Sequence, residues 1–143
     1  MQIRPATLDD EPTLRALWDE SGRELDFTPY EQTAFSAELL TDHIALVAED
    51  SSVVVGCVYA ATPGVEHGFV FGLYVVPSSR RQGVARALMA AVAEELQRQA
   101  RRFVVLSVDT PNLPARAMYE ALGFVDQARI LRADVEALLR RHS

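Results

Sequence analysis

The chain has 143 residues, 49% of them apolar and 24% charged, which suits one globular domain over 1–143 and excludes a disordered, collagenous or disulfide-stapled protein. Cys57 is the only cysteine, no apolar run approaches the roughly 20 residues of a membrane helix, and acids stand where a signal peptide has its apolar core; a cytoplasmic chain with no membrane contact is expected. The net charge of −6 argues against nucleic acid as partner, but it is divided: residues 1–66 hold 13 acids and 3 arginines, residues 67–143 hold 7 acids and 11 arginines.

The first element in chain order is a short strand at residues 3–6. Thr7 then caps a helix whose first turn carries Asp9, Asp10 and Glu11, where the helix dipole favours anions. Leu14, Leu17 and Trp18 give that helix an apolar face, and Ser21-Gly22 is its expected end. Residues 23–33 read as irregular, and Phe35, Leu39 and Leu40 predict a second helix. Residues 43–49 and 53–62 are strands joined by the tight turn Asp50-Ser51-Ser52. Residues 69–76 form a further strand stopped by Pro77.

From Gly83 the period changes to three and four, with Val84, Ala87, Leu88, Ala91, Val92 and Leu96 on one face of a helix reaching about Ala100. Residues 103–109 read as a buried strand, and residues 114–122 as a helix with Pro114 near its start and Gly123 past its end. A last strand region begins at Phe124. Beyond it, Val135, Leu138 and Leu139 suit a helix, while Val135, Ala137 and Leu139 suit a strand. Strand–helix–strand order after residue 69 implies an α/β layer fold with at least one parallel pair.

The segment from Val75 to Met89 has a chemistry of its own. A strand stops at Pro77, and Arg80, Arg81 and Gln82 lead to Gly83, where a helix starts. Unpaired amides and the positive dipole end make such a start a ready phosphate site. Gly83 admits an anion close to the backbone, Ala85 leaves its amide unobstructed, and Arg80, Arg81 and Arg86 can add charge-assisted contacts.

Arg80-Arg81-Gln82-Gly83-Val84-Ala85 resembles the Gln/Arg-x-x-Gly-x-Gly/Ala signature of the GNAT (GCN5-related) N-acetyltransferases, and Leu73-Tyr74-Val75-Val76-Pro77 looks like that family's lead-in. Downstream, Asn112, Ala115, Met118-Tyr119-Glu120 and Gly123-Phe124 are similar to its Asn-x-x-Ala-x-x-(apolar)-Tyr-Glu-x-x-Gly-Phe pattern. The resemblance covers Phe69 to Phe124. It implies a mixed, largely antiparallel sheet with helices on both faces and a splayed parallel pair, an α/β (α+β three-layer) fold. The activity it implies is acetyl-CoA-dependent transfer of an acetyl group to an amine in a ternary complex.

By that resemblance, Arg80, Arg81, Gln82, Gly83, Val84, Ala85 and Arg86 hold the pyrophosphate of the cosubstrate acetyl-CoA. Leu73, Tyr74 and Val75 line the pantetheine arm through their backbone, with Gly72 permitting a bulge. An amide near Val75 would be the oxyanion donor. Asn112 maps onto a cofactor-side asparagine and Tyr119 onto the acid that protonates the departing thiolate. Many members carry a Glu on the fourth strand; here Val70-Phe71-Gly72 stands there, which leaves Glu66, His67 and Asp109 as candidate bases. No metal is implied.

The acceptor side in this fold is built by the first two helices and their connection, where Glu24, Asp26, Phe27, Tyr30 and Glu31 lie. Acids among aromatics suit a small cationic or peptide amine. Members often dimerise through terminal strands, so a homodimer is an open expectation. Cys57, inside an apolar strand, reads as a core residue rather than a nucleophile. Two other readings stand beside the enzyme: a non-catalytic acyl-CoA-binding sensor, and a nucleic-acid-binding domain using Arg80/Arg81 and Arg98/Arg101/Arg102.

Overall fold

The computed structural model describes residues 1–24, 34–108 and 112–141, which group into two compact units, Met1–Pro111 and Asn112–Ser143. The first unit holds strands β1 (Gln2–Pro5), β2 (Ile44–Asp50), β3 (Val53–Ala61), β4 (His67–Val75) and β5 (Phe103–Leu106), with helices α1 (Glu11–Glu24), α2 (Glu38–Thr41) and α3 (Val84–Arg98). The strands pair in chain order, antiparallel except for β4 with β5. The mixed, mostly antiparallel sheet with a parallel pair at its end is thus present. Among the described residues, no helix is long and apolar enough to cross a membrane.

β1 is tied to the start of α1 by charge. Arg4 donates from both terminal nitrogens to the Asp10 carboxylate at 2.8 and 2.9 Å, and from Nε to Glu49 on the neighbouring β2. Asp10 closes a single 3-10 turn at Leu8–Asp10 that precedes α1, and its carboxylate also accepts the Thr7 N–H at 2.8 Å. The Arg4 guanidinium holds the Asp10 carboxyl at about 2, against an ordinary 3.8. Because the folded value lies below the unfolded one, the stabilisation is complete above pH 4 and is lost as pH falls towards 2. Asp10→Asn is therefore expected to cost about 2 kcal/mol at pH 7. It should also flatten the acid limb between pH 4 and 2 in urea titrations run as a function of pH.

β2 and β3 form the predicted hairpin. Ser51 and Ser52 take φ of 51° and 67°, the two left-handed residues of a type I′ turn, whose twist matches that of the strands. Leu14 and Leu17 of α1 pack with Phe35, Ala45, Val47, Cys57, Tyr59 and Tyr74 on one face of the sheet. On the other face a side chain at Gly56 would meet Val84 and Leu88 of α3, and one at Gly68 would meet Leu96. α3 buries Val84, Leu88, Val92 and Leu96 there, the stripe its period predicts.

The β3–β4 ladder slips between Cys57↔Tyr74 and Tyr59↔Phe71, so Gly72 and Leu73 together oppose Val58. Gly72 takes φ of 65°, the left-handed bulge position. The extra residue reverses the alternation: Phe71 stacks on Tyr59 at 5.5 Å, and Tyr74, three residues on, lies in the same cluster. A Cβ at Gly72 would stand 2.6 Å from Tyr59 Cδ2 and 3.0 Å from Trp18 Cζ3. Gly72→Ala thus combines left-handed strain with overpacking, an expected loss of about 3 kcal/mol. A urea midpoint unchanged in that variant would contradict the bulge.

Several boundaries differ from expectation. α1 continues two residues past Gly22 to Glu24, whose carboxylate is held by Tyr74 and Arg80; the part-buried bond from the Tyr74 hydroxyl to that charge outweighs the roughly 1 kcal/mol helix penalty of a glycine. β5 is shorter than residues 103–109 and is not buried, because β4 is its one ladder neighbour among the described residues; Phe103 is 45% exposed. The second unit contains α4 (Leu113–Ala121) and α5 (Val135–Arg141). Asn112 caps α4 by accepting the Ala115 N–H at 3.3 Å, and Gly123 at φ 102° follows its end. No strand forms at 124–134: Val125 and Leu131 are 84% and 88% exposed, with no ladder partner among the described residues. The ambiguous tail is helical.

Candidate active site

The site begins where β4 loses β5. Their parallel pairing covers His67↔Phe103 to Val70↔Leu106, and from Phe71 to Val75 β4 has β3 alone as ladder neighbour among the described residues. Val76 donates its N–H to the Val55 carbonyl at 2.9 Å. In an antiparallel ladder this makes Gly56–Val75 a non-hydrogen-bonded pair and turns the Val75 N–H and carbonyl away from β3. The carbonyl does point there, since it accepts Arg80 Nε at 2.9 Å. Val75 therefore presents its N–H on the side that β5 has vacated, as an oxyanion donor requires.

A 3-10 turn at Pro77–Ser79 carries the chain from β4 to α3. Arg81 and Gly83 both take positive φ, 64° and 81°, in the turn that leads into α3. The first intrahelical bond of this stretch runs from Ala87 N–H to the Gly83 carbonyl at 3.0 Å, so the N–H groups of Val84, Ala85 and Arg86 precede it. A Cβ at Gly83 would meet nothing within 4 Å, so the space before these amides is open. Arg81, Gln82 and Arg86 are exposed around it. An extended arm rich in amides fits the unpaired strand edge, and a diphosphate fits the helix start.

Arg80 departs from this picture. Its guanidinium does not join Arg81 and Arg86 but donates to Glu24 Oε2 at 2.8 Å and lies over the Tyr74 ring, 5.4 Å from the centroid. The Tyr74 hydroxyl donates to Glu24 Oε1 at 2.8 Å. Burial alone would raise the Glu24 carboxyl, but the bonds from Arg80 and Tyr74 outweigh it and hold the group below its ordinary value. Burial first, then Glu24, pushes the Tyr74 hydroxyl up, so it stays a donor. Glu24 was legible as one acid in an acidic segment; its partners, 50 and 56 residues away, were not.

The candidate bases do not gather at Val75. His67 opens β4 and stacks on Phe103 at 5.4 Å, eight residues and roughly 25 Å of extended strand from Val75. Glu66 lies just before it, exposed, with its carbonyl accepting the Arg102 and Phe103 N–H groups. Neither can act through a single water at that separation. Asp109 and the acceptor-side Asp26, Phe27, Tyr30 and Glu31 lie outside the described residues.

In the second unit Tyr119 is half-buried, its ring edge-on to Phe124 at 5.7 Å, and burial pushes its hydroxyl up. Cys57 is buried beside β4, its thiol pushed up to about 12 by burial, which makes it a core residue and no nucleophile. The second basic cluster is engaged within the chain: Arg98 pairs with Glu95, Arg101 donates to the Pro63 and His67 carbonyls, and Arg102 lies 3.8 Å from Glu66.

Comparison with known proteins gives these features a family. The model of the acetyltransferase (GNAT) family matches residues 10–124. The aminoglycoside N(6')-acetyltransferase type 1 of Serratia marcescens is 31% identical over 112 residues, 76% of this chain and 73% of that protein. The L-amino acid N-acyltransferase MnaT of Escherichia coli (strain K12) is 25% identical over 100 residues, 67% of this chain. The match spans 58% of that relative's length. In fold, the chain resembles the aminoglycoside N-acetyltransferase AAC(6')-Iy, solved in complex with CoA, with a TM-score of 0.74 at 22% identity over 93% of this chain and 98% of that one.

Proposed function

Because the chain belongs to the acetyltransferase (GNAT) family, we propose that it moves the acetyl group of acetyl-CoA directly to an amine, residues 1–143 acting as one acyltransferase domain. The observation that carries this reading is the run from Val75 to Arg86. It offers an N–H at an opened strand edge and, after one short turn, the amides at the start of α3. In this reading Gln82 to Arg86, with the Arg81 side chain, hold the pyrophosphate, and Leu73 to Val75 hold the pantetheine arm. Asn112 adds a cofactor contact.

The chemistry follows from these groups. Bound acetyl-CoA supplies a thioester whose carbonyl accepts the Val75 N–H. Attack by the amine forms the C–N bond, and charge developing on the carbonyl oxygen is stabilised by that N–H. As the C–S bond breaks, the Tyr119 phenol protonates the sulfur; the proton released by the new ammonium goes to solvent, from which the Tyr119 phenolate is reprotonated. Approximation of amine and thioester supplies much of the rate. The acid excess of residues 1–66, with Asp26, Phe27, Tyr30 and Glu31 in it, favours a small cationic or peptide amine.

Thiol release from acetyl-CoA across a panel of aminoglycosides, amino acids, polyamines and peptides tests the reading. Acceptor-dependent release is the expected result. Stabilisation by CoA with no release for any amine would make the chain a binding module instead.

A further inference from the structure

Glu24, Tyr74, Val75 and Arg80 close a ring of contacts that folding alone does not explain. Glu24 ends α1 and accepts from both Tyr74 Oη and Arg80 at 2.8 Å; Arg80 lies over the Tyr74 ring and donates from Nε to the Val75 carbonyl at 2.9 Å. The Arg80–Glu24 pair is well exposed, at 43% and 38%, and exposed pairs contribute little to stability. Yet it sits where the sheet is least constrained. Past Val70, β4 has no fifth-strand neighbour among the described residues, so the residue presenting the oxyanion donor is fixed by β3 on one side only. Arg80 supplies a bond on the open side, and Glu24 holds Arg80 and Tyr74 in place to do so.

We propose that Glu24 is a positioning residue for acetyl transfer: through Arg80 and Tyr74 it fixes Val75 and aims the Val75 N–H at the thioester carbonyl. This rests on the acetyltransferase reading above. It assigns Arg80, the first residue of the phosphate-loop signature, to the strand edge and leaves Arg81 and Arg86 to face the phosphates.

CoA lacks the thioester carbonyl, so the ratio of acetyl-CoA to CoA affinity reads the Val75 hydrogen bond without any acceptor. The test measures both dissociation constants for the full chain, for Glu24→Ala and Glu24→Gln, and for Glu11→Ala, which breaks a pair with Arg15 elsewhere on α1. In the wild type, acetyl-CoA is expected to bind more tightly. Glu24→Ala should weaken acetyl-CoA about three- to tenfold and leave CoA unchanged. Glu24→Gln, which keeps an acceptor for the Tyr74 hydroxyl, should recover part of the loss, and Glu11→Ala should change neither constant. With an active amine, kcat should fall by a similar factor at constant KM for the amine. Equal weakening of both ligands, an unchanged ratio, or a raised amine KM at full kcat overturns the role of Glu24. If Glu24→Ala does not fold, the same ratio measured on Glu24→Gln decides the matter. A wild-type chain that binds neither ligand sinks the acetyltransferase reading itself.

Discussion

Gly83→Asp is expected to abolish stabilisation by CoA while leaving the fold intact. At φ 81° an aspartate carries a left-handed penalty of about 1 kcal/mol, and its Cβ meets nothing within 4 Å. As the residue before the first helical turn, its carboxylate can accept the amides that would hold the pyrophosphate, a placement that favours the helix. The same tethered anion blocks and repels a diphosphate. In the wild type, CoA at 100 times its dissociation constant should add about 2.7 kcal/mol of stability, a rise in Tm of roughly 8 °C for a chain of this size. In Gly83→Asp no rise is expected. Gly83→Asn, with the same backbone demand and no charge, should retain part of it. Undiminished stabilisation of the aspartate variant would move the pyrophosphate away from α3.

Tyr119→Phe is expected to lower kcat about 100-fold, close to 2.7 kcal/mol in barrier, with the acetyl-CoA affinity unchanged. The proposed role rests on the resemblance of Asn112 to Phe124 to the family's pattern, in which Tyr119 stands at the position of the acid. Its chemistry is consistent: burial pushes the phenol above its ordinary value, so at neutral pH it carries the proton that a departing thiolate needs. Phenylalanine keeps the ring and the edge contact with Phe124, so a melting temperature close to wild type is expected. Steady-state kinetics with saturating acetyl-CoA measure the effect. A kcat within twofold of wild type would leave Tyr119 as a packing aromatic alone.

The elements read most accurately from sequence are those whose signal is local. α3 follows from a period of three and four that buries Val84, Leu88, Val92 and Leu96, and the hairpin from two apolar runs about a short turn. The bulge at Gly72 was expected from the family resemblance, whereas Gly56 and Gly68, also inside strands, instead make room for α3. The loop proposed to hold the pyrophosphate was legible twice over, as an anion site from helix-end physics and as a signature. Where neighbours rather than residues decide, the reading failed. The sequence of β5 is that of a buried strand, but burial depends on ladder partners it lacks among the described residues. Ser21-Gly22 carries a stop signal that the anchored Glu24 overrides. The strand expected from Phe124 has no ladder partner among the described residues, and none forms at 124–134.

The sequence by itself determined the family and the cosubstrate class, and it marked the segment from Val75 to Arg86 proposed to hold that cosubstrate, because backbone amides and a glycine's conformation are set within a few residues. Tertiary structure decided what the side chains around that segment do. It carried Glu66 and His67 to the far end of β4, since a strand separates its ends by its length. It set Arg80 against Glu24 and the Val75 carbonyl, because a guanidinium takes whichever carboxylate and carbonyl the fold brings within reach. The acid excess before residue 66 is a property of composition, but the meeting of one of those acids with the opened strand exists only once α1 lies across the sheet.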